Sequence, residues 1–341
     1  MAVLDSEELS SHYHVAQRDV LENIIVPFLG AGVSVCNRRP RDAKWEHGVP
    51  FLPTGGELSA HLASRFRYSG DATDLARVAE YVSLMSGPAS LYQELKQVFD
   101  PEYPLTDIHR FLADLPALTL RKAGKRQCPL IVTTNYDNLL ERAFDEAGEK
   151  YHLVTYIAEG EHRGKFRHTN DARSRIVEVP NQYYDVAPGD RTVILKIHGG
   201  FPRRSAEPGE DAALRPPGEL PGYVITEDHY IDYLTRTELS NLVPVRLVQH
   251  LSMCRFLFIG YGLRDWNLRV ILHRISSASA LSYTSWAIQK APTALDRKFW
   301  SRRNIDILEV DIEDYLAGLR SCVEGLPDVA QPPEHGARRD A

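Results

Sequence analysis

Short apolar runs recur along the chain, and most of them stop at glycine or a small polar cluster before a helical period resumes. The runs are IIVPFLG at 24–30, PLIVTTN at 129–135, YHLVTYI at 151–157, TVILKIHGG at 192–200, CRFLFIG at 254–260, SYTSWAIQ at 282–289 and NIDILEVDI at 304–312. Continuous apolar runs of this length fit strands buried on both faces. Helical periodicity fills the intervals at 10–24, 54–66, 74–85, 91–100, 106–116, 138–144, 241–251, 263–275 and 314–326. Six or seven buried strands alternating with helices predict an α/β fold with a doubly wound, mainly parallel sheet.

The remaining stretches predict the surface. Residues 36–53 begin basic and irregular, and read as a mobile loop over the first glycine turn. Residues 160–190 are charged with no clear period. Residues 201–222 carry five prolines and three glycines and read as a surface loop. The expectation is one domain over 1–325, with a helical and loop insertion at about 36–125, irregular insertions at 160–190 and 201–222, and a flexible tail at 326–341.

Composition narrows the class. The 341 residues are 43% hydrophobic and 25% charged, the balance of a folded globular chain. A net charge of −6 gives no support for binding nucleic acid or anionic membranes. No apolar run approaches a membrane span, and the first residues are polar and acidic, so the expected location is the cytoplasm. Cys36, Cys128, Cys254 and Cys322 are far apart with no CxxC pair, which predicts reduced thiols and no zinc or other metal site.

Chemistry is expected where the strands end. In open α/β sheets ligands bind in the crevice at the carboxyl ends of the strands. Four such ends carry polar or glycine-rich segments: GAGVS at 30–34, TTNYD at 133–137, KIHGG at 196–200 and IGYGL at 259–263. Gly30 and Gly32 can admit a phosphate to backbone N–H groups or simply close a strand. The GxGxxG fingerprint is missing, with Val35 in its last place, which weakens a hydride-transfer reading. Asn135 can orient a ribose hydroxyl or a water, or cap the helix that follows. His198 can accept a proton near neutral pH or fill a core position. His109, one turn into a helix, reads as packed against neighbouring backbone.

In this order and spacing the four segments resemble the sirtuin family, with its GAG-x-S turn, TQNID-like segment, HG pair and GTS-like turn. The wording TTNYDNLLE and GYGLRDWNLR is closer to the sirtuin-like domains of bacterial immune systems. The resemblance covers roughly residues 24–312. It implies a Rossmann-like NAD-binding fold with a smaller inserted module, and chemistry that breaks the bond between nicotinamide and ribose. It carries catalytic roles to Asn135 and His198, and to Asp137 as the partner of the nicotinamide amide. Gly30, Ala31, Gly32 and Ser34 would face the phosphates, with Thr134 also on the dinucleotide. Gly260, Tyr261 and Gly262 would line the adenosine end, with Asp265 at a ribose hydroxyl or only capping its helix. The segment from Glu309 to Asp311 would lie near adenine.

Two hallmarks of the family's protein deacylases are absent: a four-cysteine zinc module and a PDFR-like continuation after the first turn, which here reads CNRRPRD. Arg38, Arg39 and Arg41 of that continuation are open to phosphate binding or to a plain solvent-facing loop. Water is then the expected acceptor, and NAD the substrate, giving nicotinamide and ADP-ribose. The resemblance implies an NAD-depleting antiphage effector, a homo-oligomer, and a separate activator such as an ATPase. A deacylase or ADP-ribosyltransferase, or a sensor that binds NAD or ADP-ribose without turnover, are the other classes.

Overall fold

Period-two alternation in the apolar runs sends successive side chains to opposite faces of one sheet. Ile25 and Leu29 face one apolar layer while Val26 and Phe28 face the other, and Leu257 and Ile259 alternate with Phe256 and Phe258 in the same way. The computed structural model describes residues 6–171, 173–200, 222–235, 243–261 and 283–329. Its strands are β1 Ile25–Leu29, β2 Leu130–Thr133, β3 Tyr151–Tyr156, β4 Phe166–Asn170, β5 Arg173–Val177, β6 Thr192–Lys196, β7 Arg255–Ile259, β8 Ser285–Gln289 and β9 Ile305–Glu309. They form one sheet in the order β5-β4-β3-β6-β2-β1-β7-β8-β9.

The pairs from β3 through β6, β2, β1, β7 and β8 to β9 are all parallel. The chain builds outward from β1 through β2 and later returns to the other side of β1 as β7. That reversal is the topological switch point of a doubly wound sheet, and it opens a crevice beyond the carboxyl ends of β1 and β7. The expected α/β class is therefore the observed one. The segment 160–190, read as irregular, instead contains β4 and β5, an antiparallel extension of β3. Its exposed, charged edge strand RSRIV gives almost no apolar signal.

One face is covered by α1 Ser6–Leu21, α3 Gly55–Arg65, α4 Leu75–Ser86, α5 Pro88–Phe99, α6 Asp107–Ala123, α7 Leu139–Glu146 and α11 Ile312–Glu324; a short α2, Gly32–Val35, follows β1. The helices between 55 and 123 share one apolar cluster with the sheet and have no separate core. Against the other face lie α9 Val245–Met253 and α10 Ala294–Ser301, while α8 Glu227–Thr235 follows the β6 end.

Residues 36–53 are fastened. Arg38 is bidentate to Glu57 at 2.8 and 3.0 Å, donates to the carbonyls of Ala43 and Leu52, and lies over the Phe51 ring. Four acceptors thus occupy its guanidinium, which sets aside the phosphate reading for Arg38. Arg39 and Arg41 reach Glu313 at 2.7 Å each, and Arg41 also pairs with Asp311 at 3.2 Å. His109 is buried and shares a 2.8 Å hydrogen bond with Thr106 at the start of α6, closing a capping box. The four cysteines are free thiols. No described helix is long and apolar enough to cross a membrane.

Candidate active site

Two glycine turns meet at the switch point. The Gly30 and Gly32 amides donate to the carbonyls of Ile259 and Gly260, each at 2.9 Å. A Cβ on Gly30 would lie 2.7 Å from the Gly260 oxygen, and one on Gly32 would lie 2.7 Å from the Gly260 Cα. Gly260 itself has φ of +78°. These glycines let one turn lie directly on the other, so the residue type is required by packing whether or not a ligand approaches. Ala31 is exposed, and its amide donates to no described residue.

β2 lies beside β1 and delivers TTNYD to the same edge. Asn135 donates from Nδ2 to the Gly30 carbonyl at 3.1 Å and to Ser34 Oγ at 3.3 Å. Ser34 Oγ in turn donates to Asp137 Oδ2 at 3.0 Å, and Asp137 Oδ1 accepts the Leu139 amide at 3.1 Å. The helix-start duty that sequence patterning offered to Asn135 falls to Asp137. With Nδ2 committed inward, Asn135 Oδ1 accepts no hydrogen bond from a described residue, and the side chain is partly exposed. That leaves one acceptor available to a hydroxyl or a water. Thr134 Oγ1 meets the Tyr261 hydroxyl at 2.8 Å, tying this turn to the second glycine turn as well.

His198 lies two residues beyond β6, the strand on the other side of β2. It is buried, its ring stands edge-on to Tyr230 at 5.7 Å, and its carbonyl accepts the Val224 amide. Burial pushes its pKa down to about 3, so the ring is neutral at physiological pH. The hydrogen bonds that gather Ser34, Asn135 and Asp137 do not include His198. Its place comes from strand order. Gly199 has φ of +77°, and its Cβ position is filled by the Gly222 carbonyl at 2.1 Å.

Beyond β7 the edge opens into a cleft of about 540 Å³, lined by Gly32, Gly260, Tyr261, Gln289, Asp311 and Glu313 among others. Asp311 precedes α11 and pairs with Arg41 and Lys290. Glu309 is paired with Arg297. Adjacent strands stand ~4.8 Å apart, so the row from β6 through β2, β1, β7 and β8 to β9 extends roughly 24 Å. Gly262 and Asp265 lie outside the described residues, as do nearly all of 201–222, the helix expected at 263–275 and most of the tail. Among the described residues no group of three or more His, Cys, Asp and Glu could hold a metal ion.

Sequence reading missed Lys196 and Glu141, which pair at 2.8 Å beneath the TTNYD turn, both nearly inaccessible to solvent. The signal was present: a lone lysine in a strand buried on both faces needs a partner.

A doubly wound sheet with two glycine turns at its switch point and an Asn–Ser–Asp chain beside them defines a Rossmann-type α/β protein. The chain belongs to the SIR2-like domain family, whose pattern matches residues 129–308. It is 24% identical over 305 residues to Defense-associated sirtuin 2 of Bacillus subtilis, covering 85% of this chain and 24% of that protein. It is 26% identical over 203 residues to NAD(+) hydrolase ThsA of Cytobacillus dafuensis, covering 60% of this chain and 30% of that protein. The matches thus span under a third of each relative's length.

Proposed function

We propose that this chain is an NAD+ glycohydrolase, with Asn135, Asp137 and His198 at the reacting end and the glycine cleft at the adenosine end. The observation that carries the reading is the Asn135 side chain, held through Nδ2 by Gly30 and Ser34 with Oδ1 left open beside the switch point. Cleavage moves the bonding pair of the nicotinamide–ribose bond onto nicotinamide and leaves an oxocarbenium-like ribose carbon. Asn135 Oδ1 positions a ribose hydroxyl or the incoming water. Water adds to the carbon to give an oxonium, acidic enough to lose its proton to the neutral His198 ring even at a pKa of about 3, and His198 returns that proton to solvent. The products are nicotinamide, ADP-ribose and a proton.

The Ala31 amide takes a phosphate, with Gly30, Gly32, Ser34 and Thr134 shaping that stretch. Gly260, Tyr261, Gly262, Asp265 and Asp311 take the adenosine half. One relative bears the name of an NAD(+) hydrolase and the other that of a defence-associated sirtuin, which supports an NAD-depleting role in antiphage defence. Unrestrained, such an enzyme would empty its own cytoplasm of NAD, so the proposal includes control by self-assembly or by a separate activator such as an ATPase. The test is nicotinamide release from NAD at high protein concentration, beside Asn135→Ala and His198→Ala. Release that both substitutions reduce by about 100-fold or more supports the reading. Transfer of label to protein would indicate a transferase instead, and ADP-ribose binding without release in activated cells would indicate a sensor.

A further inference from the structure

β6 is buried along its whole length, and its last residue, Lys196, is its only charged one. Removing an ammonium from water is costly, and a buried ion pair seldom repays that cost in stability alone. The placement of this one is specific. Lys196 Nζ donates to the backbone carbonyl of Asp137 and to Glu141 Oε1 at 2.8 Å. Burial pushes the Glu141 carboxyl upward against the pull of the lysine. The Asp137 carbonyl belongs to the same turn whose Asn135 and Asp137 side chains are linked through Ser34. That turn is therefore gripped from both sides of β2: by Ser34 from the β1 side and by Lys196 from the β6 side.

Two residues after Lys196 comes His198. Just past His198, the space for the lysine depends on glycine, because a Cβ on Gly200 would lie 2.4 Å from Lys196 Cε and 2.8 Å from Nζ. We propose that Lys196 is a positioning residue for the hydrolysis, fixing the Asn135–Asp137 turn against the strand end that carries His198. The inference rests on the hydrolase reading above. It adds a reason for a charged donor: Nζ can reach a backbone carbonyl that an apolar side chain cannot hold. Glu141 matches its charge within the buried pair. Small errors in the placement of reacting groups lower turnover far more than they lower binding.

The experiment compares Lys196→Met/Glu141→Gln, which removes both charges without stranding either, with Glu141→Gln alone and with Gly200→Ala. Thermal midpoint, ADP-ribose affinity, kcat and KM for NAD are measured on each. The expected result for the double variant is a near wild-type midpoint, ADP-ribose affinity within about threefold, and kcat lower by about tenfold or more. Glu141→Gln keeps the bond to the Asp137 carbonyl and should keep most of its turnover. Gly200→Ala displaces Nζ while leaving both charges in place, and should reproduce the fall in kcat. Wild-type kcat in either the double variant or Gly200→Ala overturns the role of Lys196. So does activity lost only in proportion to folded protein. A wild-type chain that releases no nicotinamide even in activated cells overturns the hydrolase reading and this role with it, a result separable from an active wild type with indifferent variants.

Discussion

Ser34 Oγ lies 3.0 Å from Asp137 Oδ2 and bridges residues 103 positions apart in sequence. The carboxylate can only accept, so the hydroxyl donates to it and offers its lone pairs to Asn135 Nδ2 at 3.3 Å. The direction of the chain, Asn135 to Ser34 to Asp137, is what turns Asn135 Oδ1 outward.

Asp137→Asn should therefore cost turnover more than stability. An amide at 137 can donate to Ser34 and reverse the chain, releasing Asn135 from its single orientation. The expected loss in nicotinamide release is about tenfold or more, with a thermal midpoint within a few degrees of wild type. Ser34→Ala should give a similar loss. Asp137→Ala should also lose about 1 kcal/mol of stability, because the Leu139 amide loses its acceptor. A wild-type rate in Asp137→Asn would show that the polarity of the chain does not hold Asn135.

Gly260 tests the contact between the two glycine turns. A Cβ there would meet the Val33 nitrogen at 2.6 Å and the Gly30 oxygen at 2.9 Å, at φ of +78°. Gly260→Ala should lower unfolding free energy by about 2–4 kcal/mol in urea titration. Gly56, exposed at the start of α3 with nothing within 4 Å of its Cβ position, is the matched control. Gly56→Ala should be neutral or stabilising by up to about 1 kcal/mol. Equal effects at the two positions would refute close approach as the reason for glycine at 260.

The seven parallel strands were legible because most of their positions are buried, four of the strands throughout, and each reads as an apolar run closed by a polar segment. β4 and β5 were not, since FRHTN and RSRIV alternate charged and polar residues at an exposed sheet edge. Strand ends located the candidate residues, but their partners depend on the order β6-β2-β1-β7, which places Ser34 and Lys196 on opposite sides of one turn. Local pattern cannot reveal that order. It also left the helix-start role open to Asn135, because Asn and Asp are both good capping residues and only the side-chain directions separate them. Arg38, read as part of a loop facing solvent or phosphate, instead fastens that loop through Glu57.

Acid should destabilise this fold in a window set by its buried histidines. Burial lowers His198 to about 3 and His12, His109 and His168 to about 4. In the unfolded chain each returns to near 6.5. Above that value neither state binds the proton, and these groups add no pH dependence. As pH falls below 6.5 the unfolded chain takes up protons that the folded chain refuses, so stability falls until the folded pKa is reached. Each fully titrating histidine contributes up to about 1.4 kcal/mol per pH unit within that interval. Glu57 acts lower down: although burial pushes its carboxyl up, hydrogen bonds led by Arg38 hold it at about 2 against an ordinary 4.5. Its contribution is present above 4.5 and lost only as pH falls toward 2. Thermal midpoints between pH 7.5 and 5 therefore separate the histidines from Glu57. The expected trace is flat down to about 6.5 and then falls with the combined slope of several groups. His198→Gln should reduce that slope by the share of one group while leaving the plateau flat. A midpoint that holds steady to pH 5 would mean that these rings gain protons without unfolding, through local opening of the β6 end and the α6 cap.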